Sequence, residues 1–572
     1  MAWYDEAIFY HIYPLGLTGA PKENSYSTPE HRFNTLLPWI SHIKELGCNA
    51  IYIGPLFESV GHGYETTDYK KLDSRLGTNA DLTNFVKECH ADNIRVILDG
   101  VFNHTGRDFF AFQDIKNNRE NSPYKDWYCN VNFWGNNEYN DGFSYENWGG
   151  YNLLAKLNQQ NPAVRDYICD VIRFWVSEYD IDGIRLDAAD VLNFEYMQAL
   201  RRVANEVKPD FWLMGEVIHG DYNRWVNEGT LHSVTNYHLH KALYSGHNDH
   251  NYFEIAHTVK RLYEMGGSRP EGLKLYNFVD NHDVERIYTK LSNKAHYTPT
   301  HILLYTLPGV PSVYYGSEFG IEGKKERFSD DSLRPALSLS DYKTAFTENS
   351  CTRLLAALGR IRQTTPALSY GDYKELLLTN RQYAFSRTHN GITVFVTVNN
   401  DDNDYVMSLP CGATAVYKGM LTGETVTVTD GRITVNVKAN NGDIWVPADA
   451  VSSDVITPAP SASAPEPEAP CPEASQQDTE EDWFFASAFI TNPEPEAAAT
   501  EASSDSSQPE TTAGEPENST GDGFTFEQGV IRGLQEAILA LMEKRGPVTE
   551  QMRRDVDNNT HHDSLVTWVK SF

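Results

Sequence analysis

The chain has 572 residues, which is too long for one hydrophobic core, so we expect two to four domains. Its 40% apolar and 22% charged residues are typical of a globular protein rather than a fibrous or wholly disordered one. A net charge of −31 argues against nucleic acid and anionic membranes as partners, and no apolar run approaches the ~18 residues of a membrane span.

The start of the chain and the cysteines indicate a cellular compartment. Residues 1–6 contain neither a basic segment nor a long apolar one, so we expect no secretory signal. The seven cysteines are scattered and lack metal-ligand spacing. They predict free thiols in a reducing compartment, hence a cytoplasmic protein, and no metal site.

Through about residue 365, short apolar runs alternate with longer stretches of helical periodicity. Eight such runs read as strands: Ile8–Tyr13, Ala50–Ile53, Arg95–Leu98, Gly183–Leu186, Phe211–Met214, Val234–Tyr237, Tyr276–Val279 and Val310–Tyr315. Helical patterns between them include Leu36–Leu46, Asp81–His90, Pro162–Tyr179 and Phe194–Val207. The alternation predicts a closed parallel (β/α)8 barrel over 1–104 and 163–366. An open doubly wound sheet is the structural alternative, and eight repeats favour closure.

Two further regions accompany the barrel. The connection after the third strand, 105–162, is long and rich in Asn and aromatic residues, which predicts a subdomain over the barrel's C-terminal rim. From 367 to 448 short alternating runs are separated by turn signals such as Asn390-Gly391, which predicts an antiparallel β-sandwich.

The rest of the chain differs in composition. Residues 449–522 are rich in Pro, Ala, Ser and Glu, with 17 acidic residues and no Lys or Arg, which predicts a disordered spacer. In the last segment, 523–572, Thr525–Gln528 has the pattern of a capping box before a helical tail. Two alternatives remain for this helix, binding to a protein partner and packing against itself. The sequence does not determine the oligomeric state.

Four of the predicted strands end in polar, chemically active residues. These ends are Asp99–His104 (DGVFNH), Gly183–Ala188 (GIRLDA), Gly215–Val217 (GEV) and Phe278–Asp283 (FVDNHD). Catalytic residues of such barrels lie at the C-terminal ends of strands. The three carboxylates Asp187, Glu216 and Asp283 are therefore expected to converge on one rim, a pattern that packing alone does not explain.

Elementary electrostatics assigns roles to these carboxylates. Arg185 and Asp187 are two apart on one strand and point to the same side, so the guanidinium is expected to lower the pKa of Asp187 and keep it ionised, as a nucleophile requires. Glu216 has no basic neighbour within two positions, so burial and like charge are expected to raise its pKa, which suits a general acid. With Asp283 as a third negative charge, the set meets the needs of glycoside cleavage.

These four segments resemble the signature regions of the α-amylase family of glycoside hydrolases (family 13). Flanking segments Gly63–Tyr69 (GYETTDY) and Gly316–Gly320 (GSEFG) also match, and the resemblance covers roughly residues 1–447. It implies Asp187 as nucleophile, Glu216 as proton donor and Asp283 as transition-state stabiliser. It also implies sugar-binding roles, for the residues Tyr64, His104, Arg185, His282, Asp330 and Arg334.

Within the family, the motif Leu154–Asn158 (LAKLN) is more similar to that of neopullulanases and cyclomaltodextrinases than to that of oligo-1,6-glucosidases. Strand one begins by Ile8, so the N-terminal domain typical of those enzymes is expected to be missing. Asn103 matches a calcium ligand of many amylases, which leaves two alternatives, calcium near Asn103 or a hydrogen-bonding Asn. No other cofactor is expected.

The expected function is retaining hydrolysis of α-1,4, and potentially α-1,6, glucosidic bonds in maltodextrins or related α-glucans. One alternative is a transglycosylase or isomerase on the same scaffold. Another is a non-catalytic sugar-binding scaffold, because the fold alone does not confer activity.

Overall fold

The computed structural model describes residues 2–267, 272–327, 329–412 and 416–451. The predicted helical tail, and the predicted spacer apart from its first three residues, lie outside the described residues. Over the described ranges, no helix is both long and apolar enough to cross a membrane.

Eight parallel strands form the centre of the described part of the chain. They are β1 (Phe9–Ile12), β2 (Ala50–Ile53), β3 (Arg95–Gly100), β4 (Gly183–Leu186), β5 (Trp212–Gly215), β6 (Ser233–Val234), β7 (Tyr276–Asn277) and β8 (Val310–Tyr314). Their order, β6-β5-β4-β3-β2-β1-β8-β7, is that of a barrel opened at one seam. A parallel bridge between Thr235 and Tyr276 closes the seam, so the predicted closed barrel is confirmed.

Helices connect the strands and pack around them. The longer ones are α1 (Leu37–Glu45), α2 (Asn79–Ala91), α3 (Phe110–Asn118), α4 (Pro162–Tyr179), α5 (Phe194–Val207), α6 (Tyr237–Asn248), α7 (Tyr252–Met265), α8 (Tyr297–Thr306) and α9 (Ser350–Thr364). Four-residue helices cover Pro14–Leu17, Ile287–Lys290, Ala345–Glu348 and Ala367–Tyr370.

Two predicted strands are wrong in their bounds. The run Tyr276–Val279 was expected to be β7, whereas β7 ends at Asn277. The run Val234–Tyr237 was expected to be β6, whereas β6 is Ser233–Val234 and Tyr237 is already the first residue of α6. The Asn236 side chain accepts a hydrogen bond from the Leu239 backbone N–H, which caps the helix. The capping residue ends the strand, although Tyr237 itself has high strand propensity.

The connection after β3 forms a small three-stranded antiparallel sheet beside α3. Its strands are His104–Thr105, Asn147–Trp148 and Tyr151–Lys156, and His104 pairs with Lys156. His104 lies four residues after the end of β3, and its backbone is held in this sheet at the rim of the barrel. The pairing joins the barrel to the subdomain at a candidate site residue.

The region after the barrel is antiparallel, as the sequence predicts. In the described part, β9 (Lys374–Leu378), β10 (Gln382–His389), β11 (Ile392–Asn399), β16 (Asn441–Pro447), β13 (Val416–Gly419) and β14 (Thr425–Thr427) form one sheet in that order. The strands β12 (Tyr405–Pro410) and β15 (Arg432–Val437) form a second sheet. Apolar residues from both sheets, including Met407 and Trp445, share one buried cluster, as in a sandwich.

Alternation along the barrel strands separates an apolar layer from a polar one. Phe9, Ile97 and Met214 belong to the buried apolar cluster inside the barrel. The residues two positions later are His11, Asp99 and Glu216, and side chains two apart on a strand point to the same side. The inside of the barrel therefore has a packed apolar layer, and polar side chains lie next to it at the C-terminal ends of the strands.

Candidate active site

Arg185 lies at the centre of the candidate site and contacts three carboxylates. Its Nη1 donates to both oxygens of Asp99, at 2.9 and 3.0 Å, and to Asp187 Oδ1 at 2.9 Å. Its Nη2 is 2.8 Å from Glu216 Oε2. The guanidinium is 3% exposed, so one buried cation holds three acidic groups in a fixed arrangement.

The register of the strands explains why Asp187 and Glu216 meet. Gly215 on β5 pairs with Leu186 on β4, so the residues that follow lie side by side just beyond the two strands. The Glu216 N–H donates to the Leu186 carbonyl at 2.9 Å, and the Ala188 N–H donates to Glu216 Oε2 at 3.0 Å. Both carboxylates also contact the guanidinium of Arg185, so the two groups are held close to one another.

The backbone at Ala188 has a φ of +47°, in the left-handed region that non-glycine residues rarely adopt. This turn directly follows Asp187. Uncommon backbone conformations of this kind concentrate at functional sites, where the surrounding contacts hold them in place. Here the contact is the Ala188–Glu216 hydrogen bond described above.

Burial dominates the electrostatics of the pair. Desolvation raises the pKa of Asp187 well above its ordinary value, against the lowering effect of Arg185, and the charges of Glu216 and Asp99 raise it further. Desolvation also raises the pKa of Glu216, again opposed by Arg185. The expectation that Arg185 lowers the pKa of Asp187 overall is therefore wrong for the free site, because one cation is divided among three buried carboxylates.

Asp283 lies in a second cluster on the same rim. Its Oδ1 accepts from Arg334 Nη2 at 2.9 Å, and its Oδ2 is 3.0 Å from His282 Nε2. The Tyr64 hydroxyl contacts the same His282 nitrogen and is 3.4 Å from Asp99 Oδ2, which links the two clusters. Asp187, Glu216 and Asp283 thus belong to one connected network.

Tyr64 is placed by a tight turn after β2. The preceding Gly63 has a φ of +102°, and a Cβ there would lie 2.4 Å from Pro55 Cγ, so only glycine fits. The Tyr64 ring is partly exposed and lies nearly parallel to the His282 ring, with the centroids 5.8 Å apart. A partly exposed aromatic ring beside these carboxylates suits the apolar face of a pyranose.

The two predicted histidines are buried and neutral. Desolvation lowers the pKa of His104 to about 3 and that of His282 well below its ordinary value. Within the described protein, His104 Nε2 and His282 Nδ1 have no hydrogen-bond partner. Buried polar atoms are normally paired, so these two nitrogens are available to a ligand in the site.

Asp330 and Arg334 are brought to the site but bind protein groups. Arg334 Nη2 donates to Asp330 Oδ2 at 3.0 Å as well as to Asp283, and Arg334 Nε donates to the His282 carbonyl at 2.9 Å. The structure therefore places this pair against Asp283. Sequence reasoning gave it a sugar-binding role only.

Sequence reasoning assigned no role to Asp99 or Tyr52. Asp99 accepts from Arg185 and, at 2.8 Å, from the Tyr52 hydroxyl, whose ring stacks on His11 at 4.2 Å. Asp99 opens the DGVFNH segment at the end of β3, and that position could have identified it. Tyr52 lies inside an apolar run, and nothing in its local sequence marks it.

The surroundings of Asn103 do not fit a calcium ion. Its amide oxygen accepts from Gln159 Nε2 at 3.0 Å, and its amide nitrogen is 3.3 Å from His104 Nδ1. Calcium takes 6–8 oxygen ligands, usually with carboxylates among them. Across the described ranges, no group of three or more His, Cys, Asp or Glu side chains is placed to hold a metal. Asn103 acts as a hydrogen-bonding residue that orients Gln159.

The raised pKa of Asp187 leads to a stability prediction. A carboxyl whose pKa is higher in the folded protein than in the unfolded chain stabilises the fold at low pH and loses that contribution as pH rises. We expect Asp187→Asn to raise the melting temperature at pH 7 by about 2 °C or more, since ~1 kcal/mol shifts a medium-sized domain by roughly 2–4 °C. The gain should shrink towards pH 4, where Asp187 is largely protonated in the folded protein and about half protonated in the unfolded chain.

Calorimetry of both proteins from pH 4 to 8 measures this difference. Asp166→Asn, at a position whose side chain is 75% exposed, is the matched control and should leave the melting temperature unchanged. A lower melting temperature for Asp187→Asn at pH 7 would contradict the electrostatic account.

Comparisons with known proteins agree with this geometry. A family model described as the α-amylase catalytic domain matches residues 36–367. The chain is 30% identical over 449 residues to a cyclomaltodextrinase of a Bacillus species, covering 74% of this chain and 77% of the relative. It is 29% identical over 469 residues to neopullulanase 2 of Thermoactinomyces vulgaris, covering 77% and 78%.

A solved structure of a cyclomaltodextrinase superimposes with a TM-score of 0.68 at 25% identity, covering 77% of this chain and 78% of that one. The residues matched by the family model, 36–367, contain seven of the eight barrel strands, β2 to β8, and the four strand-end segments that form the site. The chain belongs to the α-amylase family of glycoside hydrolases.

Proposed function

We propose that this protein hydrolyses α-1,4 glucosidic bonds, and also α-1,6 bonds, in maltodextrins or related α-glucans with retention of anomeric configuration. The observation that carries the proposal is the pairing of Asp187 and Glu216 on one guanidinium at the ends of adjacent strands. Retaining enzymes place their carboxyl groups about 5–5.5 Å apart, whereas inverting enzymes need about 6.5–9.5 Å, and two groups held by one guanidinium favour the shorter separation.

In the first step, Glu216 protonates the glycosidic oxygen while Asp187 attacks the anomeric carbon. The C–O bond to the leaving sugar breaks, and an ester bond to Asp187 forms. Burial raises the pKa of both carboxyl groups in the free site, and this step starts with the proton on Glu216 and with Asp187 ionised. Arg185 contacts both groups, so it holds the nucleophile and the acid in a fixed relative position.

In the second step, ionised Glu216 takes a proton from water, whose oxygen attacks the anomeric carbon and releases Asp187. Asp283 faces the positive charge that develops on the sugar ring in both steps. The unpartnered nitrogens of His104 and His282 bind sugar hydroxyls, and the Tyr64 ring packs against the sugar.

We also propose a cytoplasmic location. The six cysteines in the described part of the chain form no disulfide, and Cys48 and Cys89 among them are buried. Free thiols of this kind are typical of a reducing compartment.

The function is tested with maltotriose, pullulan, a cyclodextrin and starch, each followed by product identification. Proton NMR of the first product should show the α-anomer before mutarotation, as retention requires. Formation of the β-anomer first would contradict the mechanism. Products longer than the substrate would instead identify a transglycosylase, and a product isomeric with the substrate an isomerase.

Asp187→Ala and Glu216→Gln should each lower kcat on maltotriose by several orders of magnitude, because each removes a group that acts in bond cleavage. Circular dichroism should show an unchanged fold for both. Turnover at the wild-type rate by either variant would overturn the assigned roles.

The acid role of Glu216 also predicts a pH profile. Activity is lost as pH rises through the pKa of Glu216, which burial places above the ordinary value near 4.3. An aryl α-maltoside with an activated leaving group needs no protonation, so Glu216→Gln should hydrolyse it without the alkaline decline in kcat/KM. Glu195→Gln, at an exposed position on α5, should keep the wild-type profile on maltotriose. An alkaline decline that persists in Glu216→Gln would identify another group as the acid.

A further inference from the structure

The segment that carries Asp283 has little support from regular secondary structure. It follows β7, which is only two residues long, and Phe278–Asp283 lies outside any helix or strand. Side chains instead contact its carbonyl groups: His240 at Val279, Arg334 at His282 and Lys325 at Asp283. Side-chain hydrogen bonds therefore hold the backbone of this segment in place, as strand pairing does for Asp187 and Glu216.

Lys325 is the least expected of these three side chains. It comes from the loop after β8, 42 residues beyond Asp283, and its Nζ donates to the Asp283 carbonyl at 2.9 Å. The side chain is 14% exposed, whereas that of the preceding Lys324 lies in solvent. Lysine is rarely buried without a partner, because burial removes the hydration of its charge and the rotamer freedom of its side chain.

Asp330 is the partner that holds Lys325 in place. Its Oδ1 is 3.2 Å from Lys325 Nζ, and its Oδ2 accepts from Arg334 Nη2 at 3.0 Å. Asp330 thus joins the cation that binds the carbonyl of Asp283 to the cation that binds its carboxylate. None of its hydrogen bonds or ion pairs in the described protein is to Asp283.

All polar atoms of Asp283 are consequently fixed. The backbone N–H donates to Asn281 Oδ1 at 2.8 Å, the carbonyl accepts from Lys325, and the two carboxylate oxygens face Arg334 and His282. Removing any one of these contacts frees a different atom. Asn281 and Lys325 both contact only the main chain of Asp283, and of these two only Lys325 comes from a distant loop.

We propose that Lys325, held by Asp330, is a positioning residue that fixes the main chain at Asp283 so that its carboxylate faces the anomeric carbon. The inference rests on the proposed function, in which Asp283 stabilises the charge of the transition state. A misplacement of about 1 Å in such a group can cost on the order of 100-fold in rate, while ground-state binding depends on it far less.

The test compares Lys325→Met with Lys324→Met in the full chain, using maltotriose as substrate. Lys325→Met should lower kcat about 10- to 100-fold with KM changed less than about twofold, because the lost interaction matters in the transition state. Lys325→Arg, which keeps a cation within reach of the carbonyl, should recover most of the rate. Lys324→Met should behave as the wild type.

A second pair of variants keeps the proposal testable if Lys325→Met does not fold. Asp330→Asn preserves shape but removes the charge that holds Lys325, and it should show the same kcat loss at unchanged KM. Its control is Asp331→Asn, at an exposed residue that pairs with Lys22. A raised KM at constant kcat would show that Lys325 and Asp330 contact the sugar and would overturn the positioning role.

Failure of this inference can be told from failure of the proposed function. If the wild type cleaves maltotriose and Lys325→Met is as active as Lys324→Met, the positioning role is wrong and the hydrolase stands. If the wild type cleaves no α-glucan, the proposed function is wrong, and the positioning role with it.

Discussion

One buried guanidinium surrounded by carboxylates determines the properties of this site. Arg185 satisfies Asp99, Asp187 and Glu216 at once, and no other cation contacts these three groups in the described residues. A single positive charge cannot neutralise three buried negative ones, so the cluster retains protons at pH values where exposed carboxyls have lost theirs. The proposed mechanism needs one of these protons on Glu216, the proton donor, while Asp187, the nucleophile, must be ionised.

The fold holds these three carboxylates and the single guanidinium together in a buried position. Strand alternation places Asp99, Arg185 and Glu216 above apolar residues of the barrel core, where water is scarce and each interaction is strong. Pairing between β4 and β5 fixes the backbone positions of Asp187 and Glu216, which directly follow these strands. Asp283 lacks such a ladder, and a set of long side chains from distant loops compensates for it.

The sequence predicts some parts of this architecture better than others. Periodicity and the strand-end motifs identify the barrel and bring Asp187, Glu216 and Asp283 to one rim, because parallel strands place their carboxyl ends together. The capping role of Asn236 was missed, since propensity favoured a strand through Tyr237. The direction of the pKa shift of Asp187 also required the three-dimensional structure. The sequence shows that Arg185 is near Asp187, but not that Arg185 is shared with Asp99 and Glu216.

Contacts between residues that are far apart in the sequence could not be predicted from local sequence patterns either. Lys325 lies in a charged run that reads as a solvated loop, and only the fold shows its amine against the carbonyl of Asp283. The sequence placed Asp330 and Arg334 near the sugar, yet their contacts to Lys325 and Asp283 depend on a loop conformation that no pattern encodes. Residues that act through another residue carry no motif of their own.

The identity of the nucleophile is the claim on which the account rests, and a trapped intermediate tests it most directly. The full-length enzyme would be incubated with a 5-fluoro-α-glucosyl fluoride, which forms the glycosyl ester faster than water removes it, and then digested and analysed by mass spectrometry. The account predicts one glucosyl adduct, in the peptide that contains Asp187 and on that residue. An adduct on Glu216 or Asp283, or hydrolysis of the reagent to the β-anomer with no adduct, would contradict it.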